Sequence, residues 1–149
     1  MKIEEEIKQS KKIDPLTKSV INIMYTNNKI NDNFRLTLKE FKINQSQYNI
    51  LRILRGKGDE CANCGQLREV MLDKNPDVTR LCDKLVDMEL IEREINSKNK
   101  REMLLKINEN GRNLLDKIEP KMKKSMKIFD KLTRKEHKLL SDLLDKFRG

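Results

Sequence analysis

Residues 75–88 read NPDVTRLCDKLVDM, and the fold turns on this stretch. Asn75 is suited to cap a helix, Pro76 fits the first helical position, and Asp77 suits the positive end of the helix dipole. Val78, Leu81, Cys82, Leu85 and Met88 then recur at intervals of three and four, which predicts one buried helix face. Asp77, Thr79, Arg80, Asp83, Lys84 and Asp87 are left on the opposite face. Any amphipathic surface helix carries a charged outer face, so the flanking elements decide what this one is for.

Before it, Asn63 to Gln66 (NCGQ) forms a capping-box pattern that opens a short helix with Cys64, Leu67, Val70 and Met71 directed inward. Asn44 to Gln47 (NQSQ) repeats the logic for a helix carrying Tyr48, Ile50, Leu51 and Leu54, stopped at GKGDE. Asp14-Pro15 opens a much longer helix, with Leu16, Val20, Ile23, Met24, Ile30, Phe34, Leu38 and Phe41 on one side. Such a helix is roughly 40 Å long and needs more apolar neighbours than one small domain offers.

After Met88 the period changes. Leu90 to Ile95 (LIEREI) alternates apolar and charged residues, NSKNKR is a polar turn, and EMLLKIN resumes a strand as far as Asn108. A β-hairpin therefore follows the helix–turn–helix. Asn108 caps another long helix bearing Leu114, Leu115, Ile118 and Met122, in which Pro120 is a candidate bend. Thr133 to Glu136 (TRKE) opens a last helix with Leu139, Leu140, Leu143, Leu144 and Phe147 in a wide apolar stripe. The expected class is α+β, mainly α. An arm and long helix occupy residues 1–43, a winged helix-turn-helix unit 44–108, and terminal helices 109–149.

Composition narrows the partners. The chain has 149 residues, 38% of them charged, with a formal net charge of +9. That excess favours an anionic partner, nucleic acid being the commonest, although a membrane surface or mere solubility gives the same total. No apolar run approaches the ~18 residues of a membrane span, and MKIEEEIKQSKK lacks the apolar segment of a signal peptide. The expected compartment is the cytoplasm, with reduced thiols.

Helix, turn, helix and hairpin in this order suit a DNA reading head. Arg80 is placed to fork onto guanine, Thr79 to touch a thymine methyl or phosphate, and Lys84 to reach the backbone. With Asn75 and Asp77 they form the candidate recognition helix. Lys98, Lys100 and Arg101 lie at the hairpin tip, where a wing enters an adjacent minor groove. The acids in this region weigh the other way, because basic residues from Lys74 to Arg101 outnumber acids only seven to six.

KNPDVTRLCDKLVDMELIERE and NKREMLLKIN resemble the recognition helix and wing of the MarR family of bacterial winged-helix regulators. The second stretch is similar to the family's wing signature, Asp-x-Arg, three free positions, then Val-x-Leu-Thr. Arg101 matches the Arg, Leu105 and Ile107 replace Val and Leu, and Asn108 replaces Thr. Asn99 stands where the family has an Asp that pairs with the Arg and stiffens the wing. The resemblance implies a homodimer interlocked through its first and last helices, a roughly palindromic operator, and a repressor released by a small aromatic or phenolic ligand. Tyr25, Phe34 and Tyr48 are candidates for lining that ligand's site, with membership of the core as the alternative. Thiol oxidation is a second possible trigger. A winged-helix protein adaptor and a nonspecific architectural DNA-binding protein are the rival readings.

Chemistry finds little support. Cys61 and Cys64 make half of a zinc site, with only Cys82 and His137 to complete it. Regulators of this family that sense peroxides use a cysteine in the first helix, and there is none between Met1 and Glu60. One His, no Gly-rich phosphate loop and no nucleophile–base cluster argue against an enzyme. No cofactor is expected.

Overall fold

The computed structural model describes residues 1–74 and 76–149. Most helices begin where a short polar side chain takes up an otherwise unpaired backbone N–H. A single-turn helix, α1 (Ile3–Glu6), precedes α2 (Pro15–Leu38), where Asp14 accepts from the Thr17 N–H at 3.1 Å. At 1.5 Å per residue α2 is about 36 Å long, and it ends in a 3₁₀ turn, Lys39–Phe41. The next helices, α3 (Gln45–Gly56) and α4 (Cys64–Val70), open with reciprocal boxes, Asn44 with Gln47 and Asn63 with Gln66. Then come α5 (Val78–Asp87) and an antiparallel pair, β1 (Ile91–Ile95) and β2 (Met103–Ile107). The chain closes with α6 (Glu109–Met126), capped by Asn108, and α7 (Arg134–Arg148), opened by the Thr133–Glu136 box. This is a mainly helical winged helix-turn-helix, and among the described residues no helix is long and apolar enough to cross a membrane.

The core lies where α3, α4, α5, the hairpin root and α6 meet. Ile50, Leu51, Leu54, Leu67, Val78, Leu85, Leu115 and Ile118 expose nothing to solvent. Burying each such side chain favours folding by about 1.5–3 kcal/mol. Arg55 of α3 pairs with Glu119 and lies 3.7 Å from Asp116, both on α6, closing the outer rim of that contact. Farther out the packing stops: Leu16, Met24, Leu139, Leu143 and Phe147 are each at least 50% exposed, and α7 has no buried residue.

Three local expectations need correcting. Val70, expected inward, is exposed, because α4 ends there and the extended backbone at Met71 turns that side chain into the core instead. Met88 is likewise exposed, since the helical period stops at Asp87. The first strand alternates in sequence but not in burial. Ile91 opposite Ile107 is buried at the root, whereas Ile95 opposite Met103 is exposed, because the strands leave the body of the protein. A third segment joins them: Ala62 exchanges both backbone hydrogen bonds with Leu105, at 2.9 and 2.8 Å. α6 runs through Pro120 without interruption.

Gly111, in the first turn of α6, packs against the hairpin root. A Cβ there would lie 2.2 Å from the Leu90 carbonyl oxygen and 2.7 Å from the Ile107 side chain. Both atoms belong to a buried corner that cannot retreat. Gly111→Ala is therefore expected to lower unfolding stability by about 2 kcal/mol or more, as overpacking does. A denaturant titration against the native chain measures this, and an unchanged midpoint would contradict the tight approach.

Candidate nucleic-acid interface

The capping of α5 differs from the sequence expectation. The helix starts at Val78, and its cap is Asp77, whose Oδ1 accepts from the Arg80 N–H at 3.1 Å. Pro76 consequently lies before the cap, outside the helix; Asn75 lies outside the described residues. Val78, Cys82 and Leu85 are buried and Leu81 partly so. The inner face fixed this way leaves Asp77, Thr79, Arg80, Asp83, Lys84 and Asp87 all exposed on one surface. Arg80 and Lys84, one helical turn apart, border a shallow depression with Pro76, Asp77 and Leu81.

Ion pairing separates the basic side chains of this surface into two groups. Arg93 of β1 is held 2.6 Å from Asp83, which ties the strand to the helix and offsets one of the outer acids. Among the described residues Arg80, Lys84, Lys98, Lys100 and Arg101 make no ion pair. The three wing cations are all exposed. The structure therefore places Thr79, Arg80 and Lys84 on one helix face, and Lys98, Lys100 and Arg101 together at the tip of the adjoining hairpin. Asp77 acts locally, as a cap.

The aromatic candidates do not converge. Phe34 lines a cavity of about 520 Å³ between α2 and the head, with Ile30, Asn31, Asn49, Met71 and Leu72. Tyr48 is buried in the core, its ring under the Arg52 guanidinium. Tyr25 turns towards α1, where its hydroxyl donates to Glu6 at 2.5 Å. The hydrogen bonds from Tyr25 and Lys29 hold the Glu6 carboxyl below its usual range. The amide-rich lining, Asn31 and Asn49 above all, was not singled out in the sequence, because isolated Asn residues carry no periodic signal.

Cys82 is buried and does not suit a thiol sensor. Burial, together with the neighbouring Cys64 thiol, pushes the Cys82 thiol up to about 12, leaving almost no thiolate at neutral pH. His137 sits 3.5 Å from Asp130, in the fold's exposed terminal helix. Among the described residues no three His, Cys, Asp or Glu side chains are grouped to hold a metal ion.

With this geometry in place, comparison assigns the domain. Residues 43–103 match the MarR family model, covering the helix–turn–helix and the hairpin up to the start of β2. The chain carries a MarR-family domain. A putative MarR-like transcription regulator from Bacillus cereus ATCC 10987 superposes with a TM-score of 0.76 at 19% identity, over 85% of this chain and 91% of that one. A cysteine-to-serine MarR mutant from E. coli, complexed with operator DNA, gives 0.74 at 25% identity, over 85% and 91%. Bordetella bronchiseptica BpsR, whose DNA binding is regulated by 6-hydroxynicotinic acid, gives 0.74 at 19% identity, over 85% and 90%. No curated protein matches the chain. Similarity at 19% identity establishes the shared fold only; the family assignment of the domain rests on its own sequence.

The cap is open to direct measurement. Asp77→Ala should destabilise the protein by about 1 kcal/mol, whereas Asp77→Asn, which keeps an acceptor oxygen, should cost much less. Equal thermal midpoints for the two variants would refute the capping role.

Proposed function

We propose that this protein is a sequence-specific DNA-binding transcriptional regulator acting as a homodimer, a repressor released by a small ligand. The observation that carries the reading is the set of unpaired basic side chains at two places DNA can reach together. Arg80 and Lys84 stand on the outer face of α5, and Lys98, Lys100 and Arg101 stand at the wing tip. An operator-bound E. coli relative with the same fold supports it. In this reading α5 enters the major groove, where Arg80 reads a base edge, while the wing meets the neighbouring minor groove.

The exposed apolar residues support the dimer. Leu16 and Met24 of α2, with Leu139, Leu143 and Phe147 of α7, find no cover within one chain. Joining two chains through them brings two reading heads to one duplex, and a two-fold axis then asks for a roughly palindromic site. The cavity beside Phe34 supports a ligand of small-molecule size, because it opens between the arm helix and the head. A ligand bound there with unequal affinity for two arm–head angles would shift the population away from the DNA-bound one. That mode of control parallels BpsR, in which 6-hydroxynicotinic acid regulates DNA binding.

The decisive experiment titrates the protein into duplex from upstream of its own gene, against a shuffled duplex, at two salt concentrations. Binding is expected to be tighter on the native duplex and to weaken steeply with salt. Arg80→Ala should lose about 1–3 kcal/mol on the cognate site and relax one base preference. Lys100→Ala should weaken all sequences alike and reduce the salt slope by about one. A uniform small loss for Arg80→Ala would remove base reading from that residue. Equal affinity for both duplexes at every salt concentration, persisting against random-sequence DNA, would favour an adaptor or architectural role.

A further inference from the structure

A two-stranded hairpin that leaves the core is poorly held by its own ladder, yet a wing has to meet DNA at a set angle. Three side chains meet at the far end of its ladder, just beyond the Ile95–Met103 pair. The Asn63 side-chain amide donates to Oε1 of Glu102, and the Asn96 amide donates to Oε2 at 2.6 Å. Both amides are already committed through their oxygens. Asn63 Oδ1 accepts from the Gln66 N–H at 2.8 Å as the cap of α4, and Asn96 Oδ1 accepts from the Lys98 N–H at 3.0 Å. Neither amide can turn over without losing that bond, so each must present its NH₂ group to the residue between them. That residue has to accept twice at its two terminal atoms. A carboxylate does so, and a side-chain amide cannot.

We propose that Glu102 is the positioning residue that sets the wing against the helix–turn–helix. Through Asn63 it reaches the first turn of α4, and through Asn96 it closes the turn in which the Asn96 N–H donates to the Glu102 carbonyl at 3.0 Å. The Glu102 N–H in turn donates to the Asn99 carbonyl at 2.9 Å. The arrangement also explains how this chain does without a carboxylate at position 99. Asn99 Oδ1 accepts from the Arg101 backbone N–H at 3.2 Å, so it shapes the turn and leaves the guanidinium unpaired. The acid that stiffens the wing sits one residue beyond Arg101 and braces against the protein body. The inference rests on the DNA-binding reading for its purpose, but not for its geometry.

The test uses amide hydrogen exchange on the full chain, then binding of a mixed-sequence duplex. Glu102→Gln sets an NH₂ group against one Asn. Exchange at Asn96 and Glu102 should quicken about tenfold, with Leu54 in α3 unaffected; tenfold is the low end for losing a hydrogen bond to a charged group. Asn63→Asp keeps the cap but opposes two carboxylates, and should act alike. Combining both substitutions lets the introduced amide donate to the introduced carboxylate while still accepting from Asn96. Exchange should then return to within about threefold of the native rate. Glu102→Gln should also flatten the salt dependence of duplex binding by about one contact, and the double variant should restore it. Native exchange in Glu102→Gln, or no recovery in the double variant, would overturn the bracing geometry. Recovered exchange with an unchanged salt slope would overturn the positioning role. If the native chain ignores the duplex at low salt, the DNA reading itself fails, whatever the exchange shows.

Discussion

The inner face of α5 cannot be left in water, and the rest of the head follows from covering it. Val78, Cys82 and Leu85 are buried with Ile50, Leu51 and Leu54 of α3, Leu67 of α4 and Ile91 at the hairpin root. Three apolar positions at helical spacing fix the rotation of the helix about its axis. Once that rotation is fixed, Thr79, Arg80 and Lys84 have only one direction to face. The direction of the outer side chains is thus a by-product of apolar packing inside, where a side chain that shifts must displace close-packed neighbours. The ion pair between Asp83 and Arg93 adds little energy at an exposed site, but it joins the helix to the strand that carries the wing.

Charge is arranged around this frame with some economy. The chain's excess of nine positive charges is not concentrated on the head. Between Lys117 and Lys138 nine basic residues stand against three acids, on α6, α7 and the segment joining them. Such a field attracts an anionic polymer from a distance without deciding where it settles. In the proposed reading, placement is left to the few unpaired cations of α5 and the hairpin. In that same reading the acids of α5 would limit how much affinity comes from charge alone, favouring discrimination over indiscriminate binding.

Much of the fold was legible in the sequence because it is written in local terms. Asn44 with Gln47, Asn63 with Gln66, Asn108, and Thr133 with Glu136 each satisfy a helix terminus using neighbours within three residues, and the structure contains all four. Spacing alone was less dependable at helix ends. Val70 and Met88 kept the apolar period but fell where the helix had already finished, and the cap of α5 lies at Asp77, two residues beyond Asn75. Other contacts that sequence reading missed lie between distant segments. Ala62 with Leu105, Glu102 with Asn63, and Tyr25 with Glu6 join residues whose types, taken singly, carry no periodicity or motif. The basic residues of α5 and the hairpin were visible as candidates, but their lack of acidic partners was not, since that depends on which carboxylates the fold brings near.

The corner between α5 and β1 also joins the two halves of the molecule. Glu89 adopts a left-handed conformation, φ 56°, and its carbonyl accepts from the side chains of Asn108 at 2.8 Å and Asn110 at 3.3 Å. The Asn108 N–H donates to the Leu90 carbonyl at 3.3 Å, the same oxygen against which Gly111 packs. The first turn of α6 is therefore clamped to the end of the reading helix and the root of the wing. Were that joint to move as one piece, a few degrees of rotation of α6, 18 residues long, would turn α5 and the wing together, as a crank handle does. Two such heads on one duplex would then change their spacing in step with their tilt, so a small adjustment far from the DNA would spoil both at once.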